Sequence, residues 1–135
     1  MEKFGIGQPV RRVEDKRFLI GSGRFTDDFQ LPNQAHGVVL YSNHAHARIR
    51  SIDTRAALQS PGVLLVLTGA DVQAEKLGPI PSRLTPEAMG FPKAFEALRP
   101  VLAIDRVRCV GDRVAFVVAE TEAQARDAIE LIDVD

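Results

Sequence analysis

The run Val114-Ala115-Phe116-Val117-Val118-Ala119 constrains this chain more than any other stretch. An unbroken apolar run of strand length, with two adjacent valines, reads as a strand buried on both faces. A helix is predicted directly after it, from Thr121 to Asp133. Thr121 and Gln124 have the spacing of a capping box. Glu122 adds negative charge to the first turn, where the helix dipole favours it. Ala125, Ala128, Ile129 and Ile132 recur on one helical face, with Arg126, Asp127 and Glu130 on the other. Two of the inner residues are alanine, so the helix can lie close to a sheet. Leu131 falls off the stripe and is available to a neighbour. Upstream, Arg108-Cys109-Val110-Gly111-Asp112-Arg113 is a turn-bearing link. Strand and helix together demand a core on one side.

The rest of the chain supplies that core and excludes several roles. At 135 residues it has length for one domain with a real interior. Seventeen basic and eighteen acidic side chains leave a net charge of −1, which argues against a role in neutralising nucleic-acid phosphates. Cys109 is the only cysteine, so an internal disulfide and a cysteine-rich metal site are excluded. A reducing, cytoplasmic setting is the natural expectation. No apolar stretch is long enough for a signal peptide or a membrane span. The final Leu131-Ile132-Asp133-Val134-Asp135 reads as the start of a new extended segment, which predicts a domain of a longer chain.

Residues 1–20 are mixed in charge and aperiodic, and read as an arm, with Phe18-Leu19-Ile20 as a short apolar anchor. The domain proper is expected over 21–135. Strands are predicted at Ala35 to Tyr41, at Ala45 to Ile52 and at Val63 to Thr68, the last apolar throughout and therefore central. A fourth is expected around Val107 and Cys109. Asp53-Thr54 caps a short helix over Arg55 to Gln59, which Pro61-Gly62 closes. Gly69-Ala70-Asp71-Val72 begins another helical turn. Residues 73–100 carry five prolines and read as a long excursion, with one helical turn around Phe95-Glu96-Ala97. Met89, Phe91 and Phe95 in it are expected to fold back on the core.

Candidate chemistry is sparse. Gly21-Ser22-Gly23 lacks the third glycine and the Lys-Ser/Thr pair of a nucleotide loop. Asp27-Asp28 reads as a capped turn rather than a metal site. His44 and His46 would share one face of a strand, but no neighbouring Cys or carboxylate completes a ligand set. Cys109 reads as a buried, inert thiol, despite arginines that could lower its pKa. No elbow motif organises a Ser-His-Asp set. No residue is therefore assigned to catalysis, to cofactor binding or to a metal.

Several segments carry a resemblance. These are Gly21, Gly23, Phe25, Asp27 and Asp28 followed by Leu31-Pro32; Asn43-His44-Ala45-His46-Ala47-Arg48-Ile49; Pro61-Gly62-Val63 with Thr68-Gly69-Ala70-Asp71; Arg99 to Ala103; and Val110-Gly111-Asp112-Arg113-Val114-Ala115 with the alanine-rich helix. In order and spacing they resemble the α/β hammerhead domain that opens the molybdenum-binding large subunit of the xanthine dehydrogenase, aldehyde oxidase and carbon monoxide dehydrogenase family. Arg113 stands where that family commonly has proline, and Ser42-Asn43 where it has Ser-Pro.

The resemblance implies an α+β fold, a mixed β-sheet with a long C-terminal helix and a short helix packed on it. It implies a parent enzyme that oxidises or hydroxylates aldehydes, N-heterocycles or carbon monoxide at a molybdenum–pterin centre, with Fe-S clusters and FAD on partner subunits. The implied partners are the downstream molybdopterin-binding domains of the same chain and the Fe-S and FAD subunits, with no nucleic acid. This domain would then be structural and non-catalytic. Two rival readings are an independent small-ligand or peptide-binding module using loop 73–100, and a small enzyme using His44 and His46.

Overall fold

The computed structural model describes residue 7 and residues 11–81, 86–93 and 99–135. The chain forms two compact units, Met1–Pro32 and Asn33–Asp135.

In the first unit a single helical turn, α1 (Asp15–Leu19), breaks what the sequence presents as an irregular arm. Arg12 reaches Glu14 at 3.2 Å and Asp15 at 3.8 Å, so the charges that alternate along the chain pair across the start of the turn. The expected anchor contracts to Phe18, whose ring stacks on Phe25 with centroids 5.6 Å apart. Leu19 and Ile20 are exposed. The Asp28 carboxylate accepts the Phe25 N–H at 2.7 Å, so Asp27-Asp28 belongs to a capped turn.

The second unit is built on β6 (Arg113–Ala119), the predicted apolar run. It is the middle strand of a three-stranded sheet ordered β1-β6-β4, with β1 (His36–Tyr41) and β4 (Val63–Thr68) at its sides. Both pairings are antiparallel. The sheet expected to be mixed is antiparallel at every pairing described. β1 and β4 run parallel to each other, but β6 separates them and bonds antiparallel to each. Two short antiparallel pairs complete the strands described. β2 (Ala47–Arg48) pairs with β5 (Arg106–Val107), and β3 (Ile52–Asp53) pairs with β7 (Asp133–Val134). The strand expected over Ala45 to Ile52 is thus two strands, because its halves find different partners.

Helix α4 (Glu122–Ile129) follows β6 and lies on the sheet. Its box is as the spacing predicts. The Thr121 hydroxyl accepts the Gln124 N–H at 3.2 Å, and the Gln124 side chain accepts the Thr121 N–H at 3.0 Å. The helix is shorter than expected and stops before Asp133. The chain turns at Leu131 so that Asp133 and Val134 can pair with β3, exchanging helical bonds for a ladder. Ala125 and Ala128 are fully buried against Ala115, Val117 and Ala119, and the small side chains bring helix and sheet close. Helix α2 (Arg55–Leu58) adds Ala57 to this core. Gly62 takes φ +77°, a conformation that favours glycine, in the turn between α2 and β4, with the Gln124 side chain packed against it. A second cluster of Ala103, Val107 and Val114 packs with Ala47, Ile49 and Ile52.

Helix α3 (Gly69–Ala74) follows β4, opened by Thr68, whose N–H and hydroxyl both donate to Asp71 at 2.7 Å. These bonds hold the Asp71 carboxyl below the usual range. The excursion after it is closed at its base by Ile80, whose N–H donates to the Arg99 carbonyl at 2.8 Å. Met89 and Phe91 do not fold back on the core; both are about three-fifths exposed. Phe95, and the helical turn expected around it, lie outside the described residues. Among the described residues no helix is long and apolar enough to cross a membrane.

Candidate interaction face

The register of the sheet sorts its apolar residues into two faces. Val38, Val117 and Val66 are cross-strand partners, and so are Leu40 and Ala115; all belong to the core beneath α2 and α4. Val39, Phe116 and Leu67 are partners on the opposite face, as are Gly37, Val118 and Leu65. Strand alternation puts Tyr41 with them. This second face is as apolar as the first but is not sealed. Val39, Phe116, Leu67 and Val118 are half-buried, while Tyr41, Leu64 and Leu65 are exposed. The Phe116 ring lies over Gly37, where a Cβ would meet Cζ at 2.4 Å.

β4 is the edge of this sheet, not its centre as its composition predicts. A bulge explains the difference. Val63 pairs with Ala119 and Leu65 with Val118, so Leu64 is an extra residue without a partner opposite it. The bulge leaves two consecutive leucines exposed, Leu64 at 57% and Leu65 at 43%.

The polar candidates do not assemble into a reactive group. His44 and His46 lie outside any strand, so the shared face that would align them does not exist. His44 lines a half-open cavity of about 680 Å³ with Ser42, Asn43, Arg48, Arg50, Asp133 and Asp135, and His46 does not. The Ser42 hydroxyl there accepts the His44 backbone N–H at 3.0 Å and so organises the turn rather than a nucleophile. Arg50 pairs with Asp135 at 3.5 Å. Among the described residues no three His, Cys, Asp or Glu side chains converge as a metal-holding group.

Cys109 is exposed, contrary to the buried, inert thiol expected. It sits on a turn that swings it outward. Asp112 draws that turn tight, accepting the N–H groups of Arg108 at 2.5 Å and Cys109 at 3.2 Å. The thiol lies 3.2 Å from the same carboxylate. This hydrogen bond, some desolvation and the negative charge push the Cys109 thiol up, and nearby Arg99 only partly opposes them. The turn therefore suppresses the thiolate.

The fold is a small α+β domain whose three-stranded antiparallel sheet carries α2 and α4 on one face. Residues 20–135 match the family model described as the aldehyde oxidase and xanthine dehydrogenase a/b hammerhead domain, and the chain belongs to that family. It is 44% identical over 131 residues to the carbon monoxide dehydrogenase large chain of Afipia carboxidovorans, covering 97% of this chain and 15% of that one. It is 42% identical over 131 residues to the nicotine 6-hydroxylase large subunit of Paenarthrobacter nicotinovorans, covering 96% of this chain and 15% of that subunit. Among solved structures, quinoline 2-oxidoreductase from Pseudomonas putida 86 superposes with a TM-score of 0.79 at 42% identity, over 99% of this chain and 16% of the other. The chain thus spans about 15% of the length of the curated relatives it matches and corresponds to a small domain of their large chains.

Sequence reasoning missed the open sheet face and a cluster of arginines around the Cys109 turn. The first has no local signal, because a run apolar on both sides looks the same whether both faces are covered or one awaits a cover. The second had one, in the alternation Arg106-Val107-Arg108 with Arg113 close behind.

Proposed function

We propose that this chain is the structural, non-catalytic hammerhead domain of a molybdenum hydroxylase large subunit, docked on the remainder of that subunit through the open face of its sheet. The observation that carries the reading is the pair of apolar faces on one three-stranded sheet, of which, among the described residues, one lies under α2 and α4 and the other holds half-buried and exposed apolar side chains. Fully covering a Leu, Val or Phe side chain contributes roughly 1.5–3 kcal/mol. Leu65 is exposed and Leu67, Phe116 and Val118 are half-buried, so a cover gains part of that for each, and the sum still exceeds an exposed ion pair, which contributes about 0–1 kcal/mol. Exposed contiguous apolar surface of this kind marks interaction sites.

In this reading residues 1–20 form an arm and 21–135 the domain. The parent is a molybdenum-dependent oxidoreductase of the cytoplasm, acting on an aldehyde, an N-heterocycle or carbon monoxide. Its pterin-binding and catalytic residues belong to other domains of the large subunit, and its Fe-S clusters and FAD to partner subunits. The test is to place Leu64→Asp and Leu65→Asp in the complete large subunit. Assembly of the holoenzyme should fail, while residues 1–135 carrying the same changes should keep wild-type circular dichroism. Normal assembly of the doubly substituted subunit would remove the reading.

A further inference from the structure

Arg99, Arg106, Arg108 and Arg113 line a single half-open cleft of about 400 Å³, with Cys109 and Asp112 on one wall and Pro100 and Ala103 as apolar lining. Four of the chain's seventeen basic side chains meet here, in a protein whose net charge is −1. Two carboxylates, Asp112 in the lining and Asp105 beside Arg106, offset part of this charge. Arg106 is paired with Asp105 at 3.2 Å. Among the described residues Arg99, Arg108 and Arg113 form no ion pair, and all three are exposed. Asp112 is already committed to the Arg108 and Cys109 N–H groups and to the Cys109 thiol. Cys109 adds no charge, because that same contact keeps its thiol protonated. Four guanidinium groups against the Asp112 and Asp105 carboxylates leave the cleft with a positive excess, which favours an anionic partner.

The available donors define what the cleft suits. Phosphate sites built on turns use convergent backbone N–H groups. Here those groups are taken. Arg108 and Cys109 donate to Asp112, Gly111 donates to the Ser42 carbonyl at 2.8 Å, and Asp112 donates to the Cys109 carbonyl at 3.2 Å. What remains are planar guanidinium forks, which match carboxylates in pairs of parallel hydrogen bonds. The apolar lining from Pro100 and Ala103 suits the methylene stem of an acidic side chain. The cleft lies at the Arg113 end of β6, the middle strand of the sheet, where Arg113 pairs with Tyr41.

We infer that this cleft receives an Asp- or Glu-bearing segment of the polypeptide that covers the sheet face, so that apolar contact and a charged clasp fix one orientation. The inference rests on the docking reading above and deepens it. Arginine-specific modification with phenylglyoxal and hydroxyl-radical footprinting, both on the complete assembled enzyme, test the two separately. Arg99, Arg108 and Arg113 should react roughly tenfold or more slowly than Arg11 and Arg12, a factor worth about 1.4 kcal/mol, and Leu64 and Leu65 should be shielded from radicals. Shielded leucines beside arginines that react as fast as Arg11 and Arg12 would overturn the clasp and leave the docking reading standing. If neither set is protected, both ideas fall. Arginine protection that disappears on dialysis into phosphate-free buffer would mean that a small anion fills the cleft, and the clasp would again be overturned.

Discussion

Gly69 sits so close to Ala103 that a Cβ at Gly69 would lie 2.1 Å from the Ala103 carbonyl oxygen. The obstacle is backbone, and Ile104 Cα stands behind it at 2.9 Å. No rotamer change can relieve that contact. Gly69→Ala should therefore destabilise the fold by about 2–3 kcal/mol, the upper part of the usual cost of overpacking. Urea unfolding of the two proteins checks this; equal midpoints at equal slopes would show that α3 shifts freely.

The reciprocal box at the start of α4 makes a second case. Thr121→Ala removes the hydroxyl that accepts the Gln124 N–H. A lost cap of this kind costs about 1 kcal/mol. The same denaturation measurement reads it, and Thr121→Ser should restore most of the difference.

Asp53 offers a test by pH. Its carboxylate accepts the Arg55 N–H at 3.0 Å and faces the Arg55 guanidinium through both oxygens. The side-chain bond from Arg55 is the main cause that lowers its pKa to about 2. A folded-state pKa below the unfolded one gives stability that is complete above the ordinary value of 3.8 and is lost as pH falls towards about 2. Carbon-detected NMR titration should find Asp53 still ionised at pH 3, and Arg55→Gln should bring its midpoint up towards the ordinary value.

The exposed thiol gives the fourth. Asp112 raises the Cys109 pKa by hydrogen bond and by charge. Asp112→Asn removes the charge, so the thiolate fraction at a given pH should rise. Alkylation by iodoacetamide near pH 8 should become faster in the variant, with its pH–rate curve displaced to lower pH. An unchanged curve would mean that the Asp112 carboxylate does not govern the thiol.

These cases also show where the sequence was informative. The capped helix after β6 was legible because its signals are local: Thr121, Gln124 and a stripe of alanines spaced for one face. The Asp27-Asp28 turn was legible for the same reason. β4 was not, because its apolar run carries no mark of the bulge at Leu64, and the bulge arises from pairing with a strand some fifty residues later. The split of Ala45 to Ile52 into two strands depends likewise on partners at Arg106–Val107 and Asp133–Val134. Cys109 was misjudged because free cysteines are usually buried, whereas the Asp112 bonds decide which way the turn points. The family resemblance was available because it rests on many short segments in order, none of which needs the fold to be solved first.

The order of the strands has a consequence for synthesis. β1 and β4 leave the ribosome long before β6, yet β6 is the neighbour each bonds in the sheet. Until it emerges, both nascent strands carry unpaired edges, and edges of that kind template pairing with other chains. A stall or truncation before Arg113 would thus release a chain with two sticky strands, and expression yield should drop sharply for any version cut short of that residue.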